Sequence, residues 1–549
     1  MKTVIVKLVY FIIIWIGCHK IAADTIGSNV HKDSSDKHHY ENVLIDSIVL
    51  DNRNIYDIEN KTYDNFIFKL ANKLHFKTNE TVIKRELLFE KGDHYSVNLI
   101  EETLRNLRRR LVLFDAWIEE KILPNGHLLL RVVTIDQWSL SSGININRDG
   151  NETRYKIGLR EKNFMGNNQL FSFYYINNSR DDYIETDFSD IRFFGAPYRI
   201  DLQYINNPVS SIKRIRFGRP FYTLEQKFSY DINISKTYGR RDIYNDSIVI
   251  AESFNDGDLT EIRLSHRFGT YYKKVETNLT YKYRYEKNSG TFIYTNTPED
   301  SALAISSFPD DSVYHRLGII NNYSQFQYIK LRQIDGFAFT EDFITGYFIT
   351  LDFERAFEPS FNNYEFDIIK FKFSRNISFR SNLIFLDYGH SFWYRESSKK
   401  KHSSFFSVKF YNHSFSYLTL AIRGAYLSDW YQVNSNNLIL GGSSGIRGYN
   451  TYFRTGNRKA ILNIESRFFP GIKFMSLIWG GVLFADIGNI WKADEPITIR
   501  NYNNSIGAGL RIAFDKSSKN IIRFDFAYSK QNNWEFSIGT KQYFRASNF

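Results

Sequence analysis

Residues 275–286 read Val275-Glu-Thr-Asn-Leu-Thr-Tyr-Lys-Tyr-Arg-Tyr-Glu286. Successive side chains of a strand point to opposite faces, so this stretch sorts into two. Val275, Thr277, Leu279, Tyr281, Tyr283 and Tyr285 share one face; Glu276, Asn278, Thr280, Lys282, Arg284 and Glu286 take the other. A soluble sandwich has no use for so tall an apolar-aromatic face opposed to so charged a one. The wall of a membrane barrel needs both, one toward lipid and one toward the lumen.

The same alternation recurs at 198–204, 369–373, 418–426, 462–468, 483–487, 506–514, 522–528 and 536–544. Clusters of Asn, Asp, Gly and Ser, some short and some long, separate these runs, which suits short periplasmic turns and longer outer loops. Lipid offers the backbone no hydrogen-bond partner, so spanning strands must close on themselves. From Leu140 to Phe544 there are roughly 400 residues; at about 25 per strand and connection they predict a transmembrane antiparallel β-barrel of about 16 strands.

Composition agrees with a chain built mostly of strand. Among 549 residues there are 48 Phe and 37 Tyr but only 9 Pro and 3 Met, and aromatic residues favour a pleated surface. A mean hydropathy of −0.39 is ordinary for strands that alternate apolar and polar residues. The net charge of +11 fits anionic membrane surfaces or partners. Nucleic acid is not expected as a partner, because the basic residues are scattered singly and form no stripe. The one cysteine, Cys18, excludes an internal disulfide and any Cys-based metal site.

The N-terminus predicts an export signal over 1–23. Lys2 and Lys7 precede the apolar run Leu8–Gly17, and Ala22-Ala23 offers a cleavage point. The run is too short to cross a bilayer as a helix. Gly17-Cys18 leaves lipidation of Cys18 as an alternative. Residues 24–42 are polar and pattern-free, which predicts a flexible spacer. His31, His38 and His39 lie there, with nothing downstream to complete a metal site.

Residues 43–139 have a mixed α/β pattern. Ile45, Ile48 and Leu50 suggest a first strand, and Tyr63, Phe66, Ile67, Leu70 and Leu74 form one apolar helical stripe. Thr78 or Thr81 caps a second helix carrying Val82, Ile83, Leu87 and Leu88, which ends at Lys91-Gly92-Asp93. A third helix sets Ile100, Leu104, Leu107 and Leu111 against Arg105, Arg108, Arg109 and Arg110, mostly on its other side. Strands 116–122 and 127–135 flank a Pro124-Asn125-Gly126 turn. The unit resembles one small periplasmic POTRA (polypeptide-transport-associated) domain, placed before a barrel over 140–549.

Two motifs narrow the class of barrel. Leu440-Gly-Gly-Ser-Ser-Gly-Ile-Arg-Gly-Tyr449 holds the core Ile446-Arg447-Gly448-Tyr449, and Gly481-Val-Leu-Phe-Ala-Asp-Ile-Gly-Asn-Ile-Trp491 follows it. Both resemble signatures of the BamA/TamA superfamily of outer-membrane assembly and translocation barrels, in the expected order. Shorter resemblances lie at 81–93, 136–139, 161–166, 219–222 and 464–470. Only one POTRA-like domain fits before the barrel, whereas members of the superfamily usually carry two or more; this departure puts the usual lipoprotein partners in doubt.

Strand parity puts Leu462, Ile464 and Phe468 toward lipid, leaving Asn463, Glu465 and Arg467 inside; Leu483, Ala485 and Ile487 go outside, Phe484 and Asp486 inside. A loop bearing Arg447 would then fold inward and bridge Glu465 and Asp486, since a guanidinium suits paired carboxylates. Gly441, Gly442, Gly445 and Gly448 let that loop turn sharply, and Gly488 belongs to the strand motif it would meet. The resemblance implies the same lock, with Arg447 as its key residue. At the C-terminus Phe536, Ile538, Thr540, Gln542 and Phe544 alternate toward a final aromatic, Phe544 or Phe549, and resemble the sorting signal of barrel substrates.

The resemblance implies insertion or translocation of outer-membrane proteins through a laterally opening barrel, the periplasmic domain receiving clients along a strand edge within 116–122 or 45–50. Expected partners are outer-membrane lipid and lipopolysaccharide, unfolded or partly folded clients, and periplasmic or lipoprotein subunits. The alternative is a dedicated secretion transporter or passive pore. No nucleophile–base constellation, phosphate loop or ligand cluster is evident, so neither catalysis nor a cofactor is expected.

Overall fold

In the computed structural model Asn65 starts the first helix: its side chain accepts from the N–H groups of Ile67 and Phe68, at 3.0 and 3.2 Å. Capping of this kind satisfies N–H groups that a helix start otherwise leaves unpaired. The structure describes residues 38–546 apart from short internal stretches, the longest being 395–400, 431–437 and 515–520. The expected signal segment, most of the spacer, Thr540 and Phe549 lie outside the described residues.

The N-terminal elements are β1 (Ile45–Arg53), α1 (Phe66–Leu74), α2 (Glu80–Lys84), α3 (Val97–Arg110), β2 (Leu113–Ile122) and β3 (Leu128–Asp136). Their order matches the sequence expectation, but two details do not. Helix α2 is one short turn that starts after Asn79, whose side chain makes no capping hydrogen bond, and Leu87 and Leu88 fall beyond it. On α3, Arg105 and Arg108 are buried along with Ile100, Leu104 and Leu107.

Contacts group the chain into two units. The smaller comprises residues up to Val49 with Leu88–Glu102 and Glu120–Leu130. In it the Ile45 N–H donates to the Asp93 carbonyl at 2.8 Å, Gly92 returns a bond to Ile45 at 2.8 Å, and Tyr95 donates its hydroxyl to Glu120 at 3.0 Å. Gly92 holds φ of 96°, a left-handed conformation that suits glycine.

The larger unit comprises Leu50–Leu87, Thr103–Glu119 and Arg131–Phe549. Within this unit charged side chains tie earlier segments to later ones. Arg108 makes a two-pronged pair with Asp342, at 2.7 and 2.8 Å. The Arg105 guanidinium lies 4.0 Å from the Tyr328 ring centre, and Glu86 pairs with Arg192 and Arg110. The order of the three-stranded sheet is β1-β3-β2, so β1 and β2 are its edges. Ile55, Tyr56 and Phe68 form a small core with Tyr63, Ala71 and Trp138 against it. The rest of the stripe on α1 faces away from that core: Phe66, Ile67, Leu70 and Leu74 are exposed.

Most of the larger unit is one antiparallel sheet from Leu140 to Gly539 in which successive strands are neighbours. Strand faces alternate as the sequence predicts. Val275 pairs across from Tyr323, and Leu279 from Ile319, with Leu279 and Ile319 both exposed. Among the described residues the sheet order comprises 21 strand segments, against the expected figure of about 16. The estimate assumed too long a repeat. Hairpins such as those between Phe379 and Asn382 or Phe415 and Leu418 turn almost at once, so the same length of chain makes more strands.

The end of the sheet also differs. The last strand is Trp534–Gly539, with Phe536 and Ile538 exposed. Residues 541–546 do not continue the alternation outward; Phe544 and Ala546 are buried with Ile334, Phe343, Leu383, Phe385, Tyr411 and Ala421. Phe544 is therefore a core residue and does not end a strand.

Asp136, fully buried, accepts from the Thr78 N–H at 2.6 Å and the His75 ring at 2.9 Å. Removing one side of a buried polar pair costs about 1–3 kcal/mol or more. Asp136→Ala should accordingly speed proteolysis within 57–79 several-fold without changing the sheet's circular dichroism. Unchanged proteolysis would mean that these residues are held by other contacts.

Candidate functional site

The strand Arg458–Phe474 pairs with Leu477–Trp491 so that Asn463 stands opposite Asp486, and Glu465 opposite Phe484. All four side chains are buried on one face, while Leu462 and Leu483 are exposed on the other. Across that buried face lie residues 438–450 of the long connection between Asp429 and Arg458. Its arms Leu438–Leu440 and Arg454–Gly456 form a two-stranded ribbon. The ribbon presents Ile446, Arg447, Gly448 and Tyr449 to the sheet, all four buried.

Arg447 is held from several directions. Its Nε and Nη2 donate to the two carboxylate oxygens of Asp486 at 2.7 and 2.9 Å, and its backbone N–H reaches Asp486 at 3.0 Å. Nη1 donates to Glu465 at 2.7 Å and to Asp525 at 3.5 Å. The guanidinium carbon lies 3.6 Å from the Phe484 ring centre and 4.1 Å from that of Tyr543. A planar cation between two ring faces and three carboxylates uses both its fork of donors and its flat faces.

Backbone shape makes the approach possible. Gly448 has φ of 81°, and a Cβ there would stand 3.1 Å from the Cβ of Ala527. At Gly488 a Cβ would stand 3.1 Å from Ile446. Tyr449 donates its hydroxyl to the Asn504 carbonyl at 2.9 Å. Asn463 donates to the Gly445 carbonyl and to Asp486, both at 2.9 Å, and Lys459 donates to the Ile439 and Ser444 carbonyls at 2.9 and 2.8 Å.

The charge network runs further than the two expected carboxylates. Arg467 donates to Glu465 at 2.9 Å, to Asp335 at 3.2 Å, and to the Phe544 carbonyl at 2.6 Å. Arg511 donates to Asp525 at 2.6 Å and to Gln542 at 2.9 Å. Tyr543 donates its hydroxyl to the Gly442 carbonyl at 2.6 Å, and Asp335 accepts the Ala546 N–H at 2.9 Å. The C-terminal segment is thus bonded to the ribbon's loop and to the wall behind it.

Of the residues singled out in the sequence, Arg447, Glu465, Phe484 and Asp486 meet directly; Ile446, Gly448, Tyr449 and Gly488 pack around them. Phe536 and Ile538 lie on the opposite, exposed face, and Phe544 joins the network only through its carbonyl and ring. Asp525, Arg511, Asp335 and Tyr543 were missed. A signal existed for the first two, because alternation puts Asp525 opposite in sense to Phe524 and Phe526, and Arg511 opposite to Leu510. Nothing in the pattern around Asp335 or Tyr543 marks them, since neither lies in an alternating strand here.

Among the described residues no group of three His, Cys, Asp or Glu side chains is placed to hold a metal ion. No helix among them is long and apolar enough to cross a membrane. No protein-family model matches the chain, and no curated protein matches it. Among solved structures it is similar to BamA from Haemophilus ducreyi lacking POTRA domains 1-3, at 12% identity and a TM-score of 0.36, covering 90% of this chain and 84% of that one. It is also similar to CdiB from Acinetobacter baumannii, at 10% identity and a TM-score of 0.42 over 91% of this chain and 74% of that one. For CdiB from Escherichia coli the values are 11% and 0.43, over 91% and 76%.

Arg447→Ala leaves the buried carboxylates of Asp486, Glu465 and Asp525 without the cation they share. Removing one member of a buried ion pair costs about 3–5 kcal/mol, so the thermal midpoint of the purified protein should fall by several degrees. Arg447→Lys should recover only part of the loss, because an ammonium cannot make the two-pronged bond to Asp486. An unchanged midpoint in Arg447→Ala would show that Arg467 and Arg511 suffice to balance the carboxylates.

Proposed function

We propose that the large sheet closes into a barrel in the bacterial outer membrane. There the chain inserts or translocates other proteins, as a member of the BamA/TamA superfamily. The observation that carries the reading is the pinning of Arg447 by Asp486 and Glu465, which joins the two sequence motifs in one site. Closure is supported by the strand order, in which Trp534–Gly539 neighbours Leu140–Ser142. An exposed apolar face carrying Leu279, Ile319, Leu351 and Phe526 suits lipid. The opposite face, lined by Glu465, Asp486 and their arginines, then forms the lumen, with the Arg447 loop lodged in it.

In this reading residues 43–139 are a periplasmic POTRA domain. Its edge strands, β2 and the part of β1 beyond Ile45, offer main-chain groups to an extended client, a mode of binding that needs no sequence-specific pocket. The short last strand and the first strand, divided into Leu140–Ser142 and Asn145–Asp149, give a seam with few hydrogen bonds, suited to lateral opening. Clients are unfolded or partly folded outer-membrane proteins; membrane lipid and lipopolysaccharide surround the wall. A lodged Arg447 loop weighs against a constitutively conducting pore.

The test is client folding in liposomes. Reconstituted protein should speed the folding of a urea-denatured outer-membrane barrel about tenfold or more, read by heat-modifiable gel mobility. The gain should be lost in Arg447→Ala and in a variant lacking residues 24–139. No acceleration with several clients, together with large stable conductance in planar bilayers, would replace insertion with a dedicated transporter or pore.

A further inference from the structure

Helix α1 has three faces where an ordinary surface helix has two. Phe68 and Ala71 face the small core, and Asn72 exchanges hydrogen bonds with the backbone of Tyr56 at 2.7 and 3.1 Å. Lys69 and Lys73 are exposed. Between them and Ala71 around the helix lies a second apolar face, with Phe66 76%, Ile67 72%, Leu70 39% and Leu74 58% exposed.

Two hairpin turns of the large sheet lie beside the segment that follows α1. Phe164–Gly166 and Phe193–Gly195 are built alike: Met165 and Phe194 hold φ of 53° and 54°, each followed by a glycine at 75°. A bulky side chain in the left-handed region is strained, yet both turns use it to hold out an apolar tip, Met165 61% and Phe194 91% exposed. The first turn is fixed to the helix end: Asn79 bonds the Gly166 carbonyl at 2.9 Å, and Asn163 bonds the Phe76 carbonyl at 2.7 Å. Gly195 of the second lies against Arg85.

The apolar surface is continuous from the sheet wall to this helix. Phe171, exposed on the wall, contacts Phe164 with ring centres 5.8 Å apart, and Phe164 contacts Phe76 at 6.4 Å. Exposed Lys69, Lys73 and Lys77 border it, although Lys69 shares its charge with Asp64 at 2.6 Å. We propose that the outer face of α1, with Met165 and Phe194, is a membrane foot. It lies in the headgroup–acyl boundary of the periplasmic leaflet, with the lysines against anionic phospholipid. Amphipathic helices of this composition bind at that depth, about 5–10 Å into the boundary. The inference rests on the barrel reading above, which makes the wall around Phe171 a lipid surface.

The test places single cysteines in a Cys18→Ser background, labels them with an environment-sensitive fluorophore, and reconstitutes the full chain into phosphatidylethanolamine–phosphatidylglycerol vesicles. Ile67→Cys, Met165→Cys and Phe194→Cys report the foot, and Phe173→Cys reports the wall. Lipid carrying a nitroxide near its headgroup should quench all the foot labels about twofold or more. At the Ile67 position, replacing phosphatidylglycerol by phosphatidylcholine, or Lys69→Gln with Lys73→Gln, should weaken quenching. Quenching at Phe173 without quenching at Ile67 overturns the foot and leaves the barrel standing, whereas no quenching at Phe173 removes the barrel reading itself. A label at Ile67 already shielded in detergent also overturns the proposal, since protein and not lipid would then cover the face.

Discussion

Arg447 sits where water does not reach, and a bare guanidinium there would be expelled at a cost of several kcal/mol. Three carboxylates hold it, and two of them take further cations. Glu465 shares Arg467, and Asp525 shares Arg511 and Arg523. Asp335, on a loop from a different part of the sheet, completes the set by facing Arg467 and Arg545. The ribbon at 438–456, three adjacent strand pairs, the loop at 335 and the C-terminal segment are therefore parts of one network. Buried ion pairs are poor sources of net stability. What this one supplies is position, because each bond has a direction and no apolar packing would fix the ribbon in a single pose.

The C-terminal segment shows how that network acts on the sheet. Thr540, Gln542 and Phe544 carry spacing that would lengthen the last strand, yet the described residues among them turn onto the buried face. Arg511 takes the Gln542 side chain, Arg467 takes the Phe544 carbonyl, and Tyr543 lies against Arg447. A buried donor left unpaired costs more than a few edge hydrogen bonds in contact with water. The strand consequently stops at Gly539. The site and the shortness of the last strand have one cause.

Period-two alternation made the sheet legible, because a strand with an exposed apolar face and a charged face opposite leaves no ambiguity of register. The same parity placed Glu465 and Asp486 on one face, and the glycines at 441–448 marked a loop able to reach them. Strand number was not legible, since hairpins that turn within two residues leave no cluster to count. Nor were Asp335 and Tyr543, which meet Arg447's partners from loops whose paths only the folded chain defines. On α3 the arginines looked like a solvated side, but Arg105 and Arg108 are buried and each finds a partner, Tyr328 and Asp342. A basic side chain reads as exposed until its acid, more than two hundred residues away, is known.

Helix α1 reverses the usual inference from amphipathicity. A periodic apolar stripe is taken to face the core because only burial rewards it. Here the core takes Phe68 and Ala71, while the stripe at Phe66, Ile67, Leu70 and Leu74 stays open. Burial is still the reward, but periodicity says nothing about what does the burying. In the barrel reading proposed above, whose wall is apolar on the outside, lipid would cover the face of this helix that the core leaves open. The stripe, the two left-handed turns and the ring contacts from Phe171 to Phe76 then belong to the same surface, and each would be a defect in a protein surrounded only by water.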